Sequence, residues 1–397
     1  MKDSIQKVQD RSVNRMPSQR MRIRQLVPQL DLGPFKPGRL NYITDVPGVK
    51  VHTQEFHNDK GTVHTGVTCI TPRDDWYHKA CYASVFGFNG CGELTGSHWI
   101  NESGLLHSPI CITGSFNIGA AYQGIQQLTI KSVGEARPAS HYDVLPVVGE
   151  TYDGYLNDVT QFPVKPEHVI HGLQNVSSEH VREGNVGGGT GMMCHHFKGG
   201  TGSSSRLVES VDAKGQPKTY TIAALVQTNY GRKKHLRIGG VPVGKHLINA
   251  AADEVARDEA RKDGSIIVVL ATDAPLHPTQ LQRIAKRATV GLARVGGHGF
   301  NSSGDIFLAF STANEVPLRP NDTSSQQGQI YNPEVLSDFS IDGLFEAASD
   351  VTEESIYNAL CMAETTTGTE GHRVEALPLD KVKAILEKHL WGISSNL

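Results

Sequence analysis

Residues 263–275, DGSIIVVLATDAP, hold an apolar run, Ile266 to Leu270, that starts directly after the pair Gly264-Ser265. A short run rich in β-branched residues reads as a buried strand. A serine opens it and a glycine precedes the serine. A self-cleaving precursor needs that arrangement. The hydroxyl attacks the carbonyl just before it, the amide becomes an ester, and hydrolysis releases a chain that begins with serine. Glycine has no Cβ, so it leaves that carbonyl open and tolerates the backbone strain of the attack. The freed serine carries nucleophile and base on one residue, because its α-amine has a pKa of about 7.7–8. Taken alone, Gly-Ser also reads as an ordinary turn entering a strand.

Working outward, further strand-like runs occur at Val144 to Val148, Tyr220 to Val226 and Ile306 to Phe310. Helical patterns cover Val243 to Arg261, Pro278 to Leu292, Val351 to Glu364 and Leu379 to His389. In Pro278 to Leu292, Leu281, Ile284, Ala285, Ala288 and Leu292 fall on one face. Strands mixed with amphipathic helices give an α+β class. The connector Lys262-Asp263-Gly264 forces a tight bend before Ser265. The Ser/Asn/Asp-rich piece from Pro317 to Gln329 reads as a long exposed loop. No internal repeat or low-complexity linker divides the chain.

With 397 residues, a net charge of −3 and 38% apolar content, the chain has the composition of an ordinary soluble protein. Acids balance the lysines and arginines, and the one basic cluster, Arg232 to Lys234, is short, so nucleic acid is not an expected partner. No segment approaches the roughly 18–20 apolar residues of a membrane span. Residues 1–37 read as a polar, arginine-bearing extension, disordered or lying on the surface. Organelle targeting is the weaker reading, because acidic residues interrupt the extension. The cysteines Cys69, Cys81, Cys91, Cys111, Cys194 and Cys361 show no CxxC spacing and read as reduced residues of a cytoplasmic protein. Glycine, 41 of 397 residues, exceeds the usual roughly 7% and implies many tight turns. The stretch Gly184 to Gly202 lacks the Gly-Lys-Ser/Thr ending of a phosphate loop and reads as closely packed backbone. Cys194, His195 and His196 are adjacent and project in different directions, so no metal site is expected there.

Several blocks together resemble the self-processing serine aminopeptidases of the L-aminopeptidase/D-esterase and β-peptidyl aminopeptidase family. They are ITDVPGVKV (43–51), GCGELTGSHWINESG (90–104), VVGETYDGYLND (147–158), GNVGGGTGMMCHHFKGGTGSSSR (184–206), LVQTNYG (225–231), DGSIIVVLATDAP (263–275) and NSSGDIFLAFST (301–312). They run in the family's order from about residue 38 to about residue 395. The resemblance implies a four-layer αββα sandwich, similar in plan to the N-terminal-nucleophile hydrolases but differently connected. It implies one hydrolase domain, 38–397, cut between Gly264 and Ser265 into chains 1–264 and 265–397 that stay associated, and a homo-oligomer, a tetramer of such units.

The resemblance also assigns roles. Ser265 matches the nucleophile. Ser303 and Asp305 match its supporting pair, the hydroxyl relaying to the nucleophile or its amine and the carboxylate orienting the network. Some relatives carry glutamate at the latter position. Asn229 matches an oxyanion donor. Glu150 matches the carboxylate that holds the substrate's amine, and Tyr152 an active-site tyrosine that donates its phenol, with Tyr155 as the alternative. The segments at Ser303-Asp305 and Asn229 also read as plain turn formers. No cofactor or metal is expected, since nucleophile, base and oxyanion donors are all protein groups. The expected function is a serine aminopeptidase acting on short peptides, amino-acid amides or esters through an acyl-enzyme. The alternatives are an acyltransferase of the ornithine acetyltransferase type, whose nucleophile is threonine, and a non-catalytic binding protein on the same scaffold.

Overall fold

A computed structural model describes residues 20–133, 143–212, 214–248, 264–318 and 330–392. Of the helix expected at 243–261, Val243–Leu247 is helical and Ile248 is extended, which breaks it there; residues 249–261, most of the loop expected at 317–329 (319–329) and residues 1–19 lie outside the described residues.

Two sheets form the interior. The first has the order β1-β2-β5-β6, built from β1 (Lys50–His57), β2 (His64–Thr71), β5 (Ile110–Gly114) and β6 (Val147–Thr151). The second has the order β4-β3-β12-β11-β10-β9, built from β3 (Lys79–Gly90), β4 (Leu105–Leu106), β9 (Gly200–Val211), β10 (Pro217–Asn229), β11 (Ser265–Thr272) and β12 (Gly304–Pro317). Small hairpins add β7 (Met193–Cys194) with β8 (Phe197–Lys198), and β13 (Thr366–Thr367) with β14 (Arg373–Val374). Eight α-helices are described: α1 (Ile23–Leu26), α2 (Ser97–Ser103), α3 (Ile118–Val133), α4 (Pro166–Gln174), α5 (Val243–Leu247), α6 (Pro278–Val295), α7 (Asp342–Met362) and α8 (Leu379–Trp391).

The strand opened by Ser265 sits near the centre of the larger sheet, and all eight of its residues are buried. Its side chains alternate between two cores. Ile267, Val269 and Ala271 join Ile110, Ile112 and Val147 of the smaller sheet. Ile266, Val268 and Leu270 pack instead with Leu281, Ile284 and Leu292 of α6 and with Ile356 and Leu360 of α7. The parallel neighbour β12 follows the same rule: Ile306, Leu308 and Phe310 turn one way and Phe307 and Ala309 the other. Parallel strands buried on both faces read as unbroken apolar runs, which is why the sequence showed these two so clearly. A third core, with Val148, Ile125 and Val169, lies between the smaller sheet and helices α3 and α4. The layers are therefore helix, sheet, sheet, helix, the expected αββα sandwich.

Helix α6 has Pro278 in its first turn, His277 as N-cap and Gly296 at φ +103° beyond its last turn, all standard boundary chemistry. The apolar face read from its sequence is buried as expected. Two elements differ from the sequence reading. The strand read at Val144 to Val148 is displaced to Val147–Thr151, behind Pro146. Helix α7 starts at Asp342, nine residues before the expected Val351, and its polar residues Ser349, Thr352, Ser355 and Asn358 are buried along with its apolar ones.

Residues 20–37 depart from the surface extension read there. Ile23, Leu26, Val27, Leu30 and Leu32 belong to the sheet–helix core. The arginines that made the stretch look polar are absorbed by that core's backbone and acids. Arg20 donates to the carbonyls of Cys361 (2.8 Å) and Leu377 (2.9 Å). Arg22 pairs with Glu183 (2.9 Å) and Arg24 with Glu354 (2.9 Å), and Glu354 also pairs with the fully buried Arg206 (2.7 Å). Ile23→Ala should therefore cost about 2–5 kcal/mol, as for other fully buried aliphatic truncations. Thermal or denaturant unfolding would show it; an unchanged midpoint would mean that the segment contributes nothing to the core.

Candidate active site

Strand ends from both sheets converge at one edge of the sandwich. β10 ends at Asn229 and pairs it in register with Ser265, the first residue of β11. β12 begins at Gly304, and its parallel pairing places Asp305 opposite Ile266. From the smaller sheet, β6 carries Glu150 past the same place. The sheets approach closely here: a Cβ on Gly149 would lie 3.3 Å from Ile267 Cγ2.

Gly264 is required by its surroundings. A Cβ there would sit 1.8 Å from the Asn229 carbonyl oxygen and 2.9 Å from Asn229 Nδ2. The Gly264 carbonyl accepts a short hydrogen bond from the Ser303 hydroxyl. The Ser265 hydroxyl accepts from the Gly304 N–H at 2.9 Å. The sequence reading aimed Ser303 at the nucleophile or its amine; the structure aims it at the carbonyl before Ser265.

Ser303 Oγ also lies 2.6 Å from Asp305 Oδ1. The hydroxyl donates there, so its single proton is shared between the Asp305 carboxylate and the Gly264 carbonyl. Burial raises the Asp305 carboxyl to about 6, against the opposing hydrogen bonds from Ser303 and the Ile266 N–H. Its Oδ2 is buried without a hydrogen-bond partner among the described residues.

Asn229 is fixed at both ends of its amide. Its Oδ1 accepts from the Met193 N–H (2.9 Å) and its Nδ2 donates to the Tyr152 carbonyl (2.8 Å). The amide has a second N–H, which leaves one donor for the Gly264 side. Glu150 is 8% exposed. Its Oε1 accepts from the Glu93 N–H (3.0 Å) and its Oε2 from the Ser115 hydroxyl. Burial raises its pKa, and those bonds partly offset the rise. Gly92 joins the two halves, since a Cβ on it would lie 3.1 Å from Gly304 Cα and 3.3 Å from Glu150 Oε1.

The structure thus gathers Gly264, Ser265, Ser303, Asp305 and Asn229, with Glu150 behind Gly92. Tyr152 joins through its backbone carbonyl. Its ring faces Phe116 at 6.4 Å and its hydroxyl lies over Gly154, where a Cβ would be 2.2 Å away. Tyr155 stacks on His372 at 4.2 Å. The glycine-rich stretch is packed backbone: a Cβ on Gly188 would meet Gln227 Oε1 at 2.0 Å, and one on Gly202 would meet the Ser355 carbonyl at 2.0 Å. The sequence reading missed Gly304, Ser115 and the Met193 N–H. Backbone donors carry no side-chain signature, and Ser115 meets Glu150 only because β5 and β6 pair in parallel.

The sequence pattern of peptidase family S58 matches residues 41–374. The chain is 41% identical over 379 residues to a β-peptidyl aminopeptidase BapA of Sphingosinicella microcystinivorans, spanning 90% of this chain and 91% of the relative. A solved Burkholderia sp. β-aminopeptidase superposes with a TM-score of 0.82 at 40% identity, covering 94% of this chain and 99% of that one. The L-aminopeptidase D-Ala-esterase/amidase of Ochrobactrum anthropi, described as a prototype serine aminopeptidase and a variant of the Ntn hydrolase fold, superposes with a TM-score of 0.80 at 40% identity, covering 93% and 98%. Fold and match define a hydrolase, an aminopeptidase with an Ntn-type sandwich. The chain belongs to peptidase family S58. No helix among its described residues is long and apolar enough to cross a membrane.

A carboxyl raised from 3.8 to about 6 by burial binds its proton more tightly in the folded chain than in the unfolded one. Folding stability therefore falls as pH rises from about 4 to about 6 and stays lowered above. The cost has an upper bound of about 3 kcal/mol, at about 1.4 kcal/mol per unit. In chains kept whole by Ser265→Ala, Asp305→Asn, which cannot ionise, should melt higher than its Asp305 counterpart at pH 8 and at about the same temperature at pH 4. Melting curves of the two proteins across pH 4–8 check this; parallel curves would place the raised group elsewhere.

Proposed function

We propose that the chain is a self-processing serine aminopeptidase in which Ser265 is the nucleophile of both maturation and turnover. The observation that carries this reading is the bracketing of one peptide bond: Ser303 donates to the Gly264 carbonyl while the Gly304 amide holds the Ser265 hydroxyl.

In maturation, Ser265 Oγ adds to the Gly264 carbonyl carbon. The negative charge develops on the oxygen that Ser303 already touches, with Asn229 Nδ2 beside it. Preorganised donors of this kind are worth roughly 3–4 kcal/mol each. The C–N bond breaks, the proton given up by Ser265 Oγ passes to the Ser265 nitrogen, and Gly264 is left as an ester on Ser265 Oγ. Water hydrolyses that ester to a free carboxylate and a serine bearing its own α-amine. Asp305, whose Oδ2 is buried and unpartnered, supplies an acceptor for the resulting ammonium. Fragments 1–264 and 265–397 stay together because two strand pairings, β10 with β11 and β3 with β12, cross the cut.

In turnover, the α-amine takes the proton of Ser265 Oγ as it attacks the substrate carbonyl. The oxyanion meets the Ser303 hydroxyl and Asn229, and the amine of the leaving group departs protonated. Water then resolves the acyl-enzyme. Glu150 ion-pairs with the free amine of the substrate. Its burial makes that pairing selective, because a blocked terminus leaves a desolvated carboxylate without a counter-charge. Substrates are short peptides, amino-acid amides or esters. The relatives named for β-peptides add residues with a β-amine to the set. All groups used belong to the protein.

Denaturing electrophoresis with N-terminal sequencing tests the first half. The purified protein should give two fragments, the smaller beginning at Ser265, and Ser265→Ala should remain whole. Cleavage of the alanine variant at the same bond would remove Ser265 as the agent. Turnover tests the second half. Aminoacyl p-nitroanilides should be hydrolysed and their N-acetyl forms should be poorer by about two orders of magnitude or more, the several kcal/mol cost of an unpaired buried charge. Equal rates would point to a general amidase.

A further inference from the structure

Three aromatic side chains stand half exposed beside the candidate site, Phe116 in ring contact with both Tyr152 and Phe162. Phe116 is 48% exposed, Tyr152 53% and Phe162 48%. Phe116 and Tyr152 ring centroids lie 6.4 Å apart, and Phe116 and Phe162 6.0 Å. Contiguous exposed apolar surface is uncommon on soluble proteins and marks a binding surface.

Its placement says what it binds. β5 and β6 run parallel, with Thr113 opposite Glu150 and Gly114 opposite Thr151, so Phe116 and Tyr152 both leave the carboxyl ends of adjacent strands. The residue before Phe116, Ser115, donates to Glu150. The carbonyl of Tyr152 holds the Nδ2 of Asn229. The cluster is therefore tied on one side to the carboxylate that takes the substrate's amine and on the other to the amide beside the reacting carbonyl. In an amino acyl group those two functions flank the carbon that bears the side chain. Phe162 adds a second observation: it holds φ +45°, a left-handed backbone that a bulky aromatic residue rarely adopts. Such strain persists where the surroundings enforce it, and it clusters at ligand-binding positions.

We propose that the Phe116–Tyr152–Phe162 cluster receives the apolar side chain of the substrate residue that carries the free amine, so that this enzyme selects leucyl-, phenylalanyl- and similar acyl groups over glycyl and aspartyl ones. The proposal rests on the aminopeptidase reading of Glu150 and Asn229. The rings give no charged or hydrogen-bonding partner to an acidic side chain, which would lose water without compensation.

The test is a panel of glycyl, alanyl, leucyl, phenylalanyl and aspartyl p-nitroanilides against the parent, Phe116→Ala and Phe162→Gly. The parent should favour leucyl and phenylalanyl over glycyl by about tenfold or more in kcat/KM, a usual size for apolar discrimination. Each variant should lose most of that preference through KM, while its glycyl rate and its rate of self-cleavage stay within about twofold. Glycine accepts the backbone of position 162 without strain, so Phe162→Gly should melt no lower than the parent. A parent that cleaves the panel without regard to side chain overturns this proposal and leaves the aminopeptidase reading standing. A uniform loss across the panel, or a changed elution volume in the variants, overturns it in favour of a second copy covering the rings. A parent that cleaves none of the panel removes both readings together.

Discussion

The pairing of β11 with β12 is the constraint on which the rest depends. It is a parallel pairing of two strands buried on both faces, and a slip of one residue would turn every side chain to the wrong core. Ile267 would leave the inter-sheet core for the helix side, and Phe307 would do the reverse. That cost locks Ile266 opposite Asp305 and so places the starts of the two strands, Ser265 and Ser303-Gly304, against each other. Asn229 is locked by the antiparallel register on the other side of β11. The site is accurate to a hydrogen bond because the two cores around it allow no other register.

Around this point the sandwich keeps three carboxyl groups out of water and gives each a hydroxyl rather than a cation. Ser115 serves Glu150, Ser303 serves Asp305, and Thr65 serves Asp153 at 2.5 Å. Burial raises all three, Asp153 also to about 6. The ion pairs of the molecule lie elsewhere, as in Arg206–Glu354 and Arg22–Glu183. Among the described residues none of these three acids is in an ion pair, which suits the proposed reaction, whose substrate and newly formed chain end are both amines.

Much of this was legible in the sequence for a reason that can be stated. Strands buried on two sides must be apolar throughout, so β11 and β12 announced themselves and carried Ser265 and Asp305 with them. Asn229 and Glu150 were found on blocks of a known family, and the fold sets them beside Gly264 and Gly92. What stayed hidden was of three kinds. The Gly304 and Met193 N–H groups are backbone, and every residue has one. Ser115 depends on a contact between strands that only the fold creates. Residues 20–32 looked polar because their arginines end in buried carbonyls and acids, which composition cannot distinguish from water. The sequence reading makes Tyr152 a phenol donor; its ring lies against Phe116 and its hydroxyl over Gly154, while its carbonyl holds Asn229.

The central place of β11 in its sheet has a consequence for the life of the molecule. A chain cut ahead of Ser265 keeps every strand pairing it had, so cutting costs little while the fold lasts. Once unfolded, the same molecule is two polypeptides, and recovering the sheet becomes an encounter between partners whose success depends on their concentration. If the proposed cleavage follows folding, the sheet is first assembled within one covalent thread, and the cut form is then protected by the height of its unfolding barrier rather than by an equilibrium it can revisit.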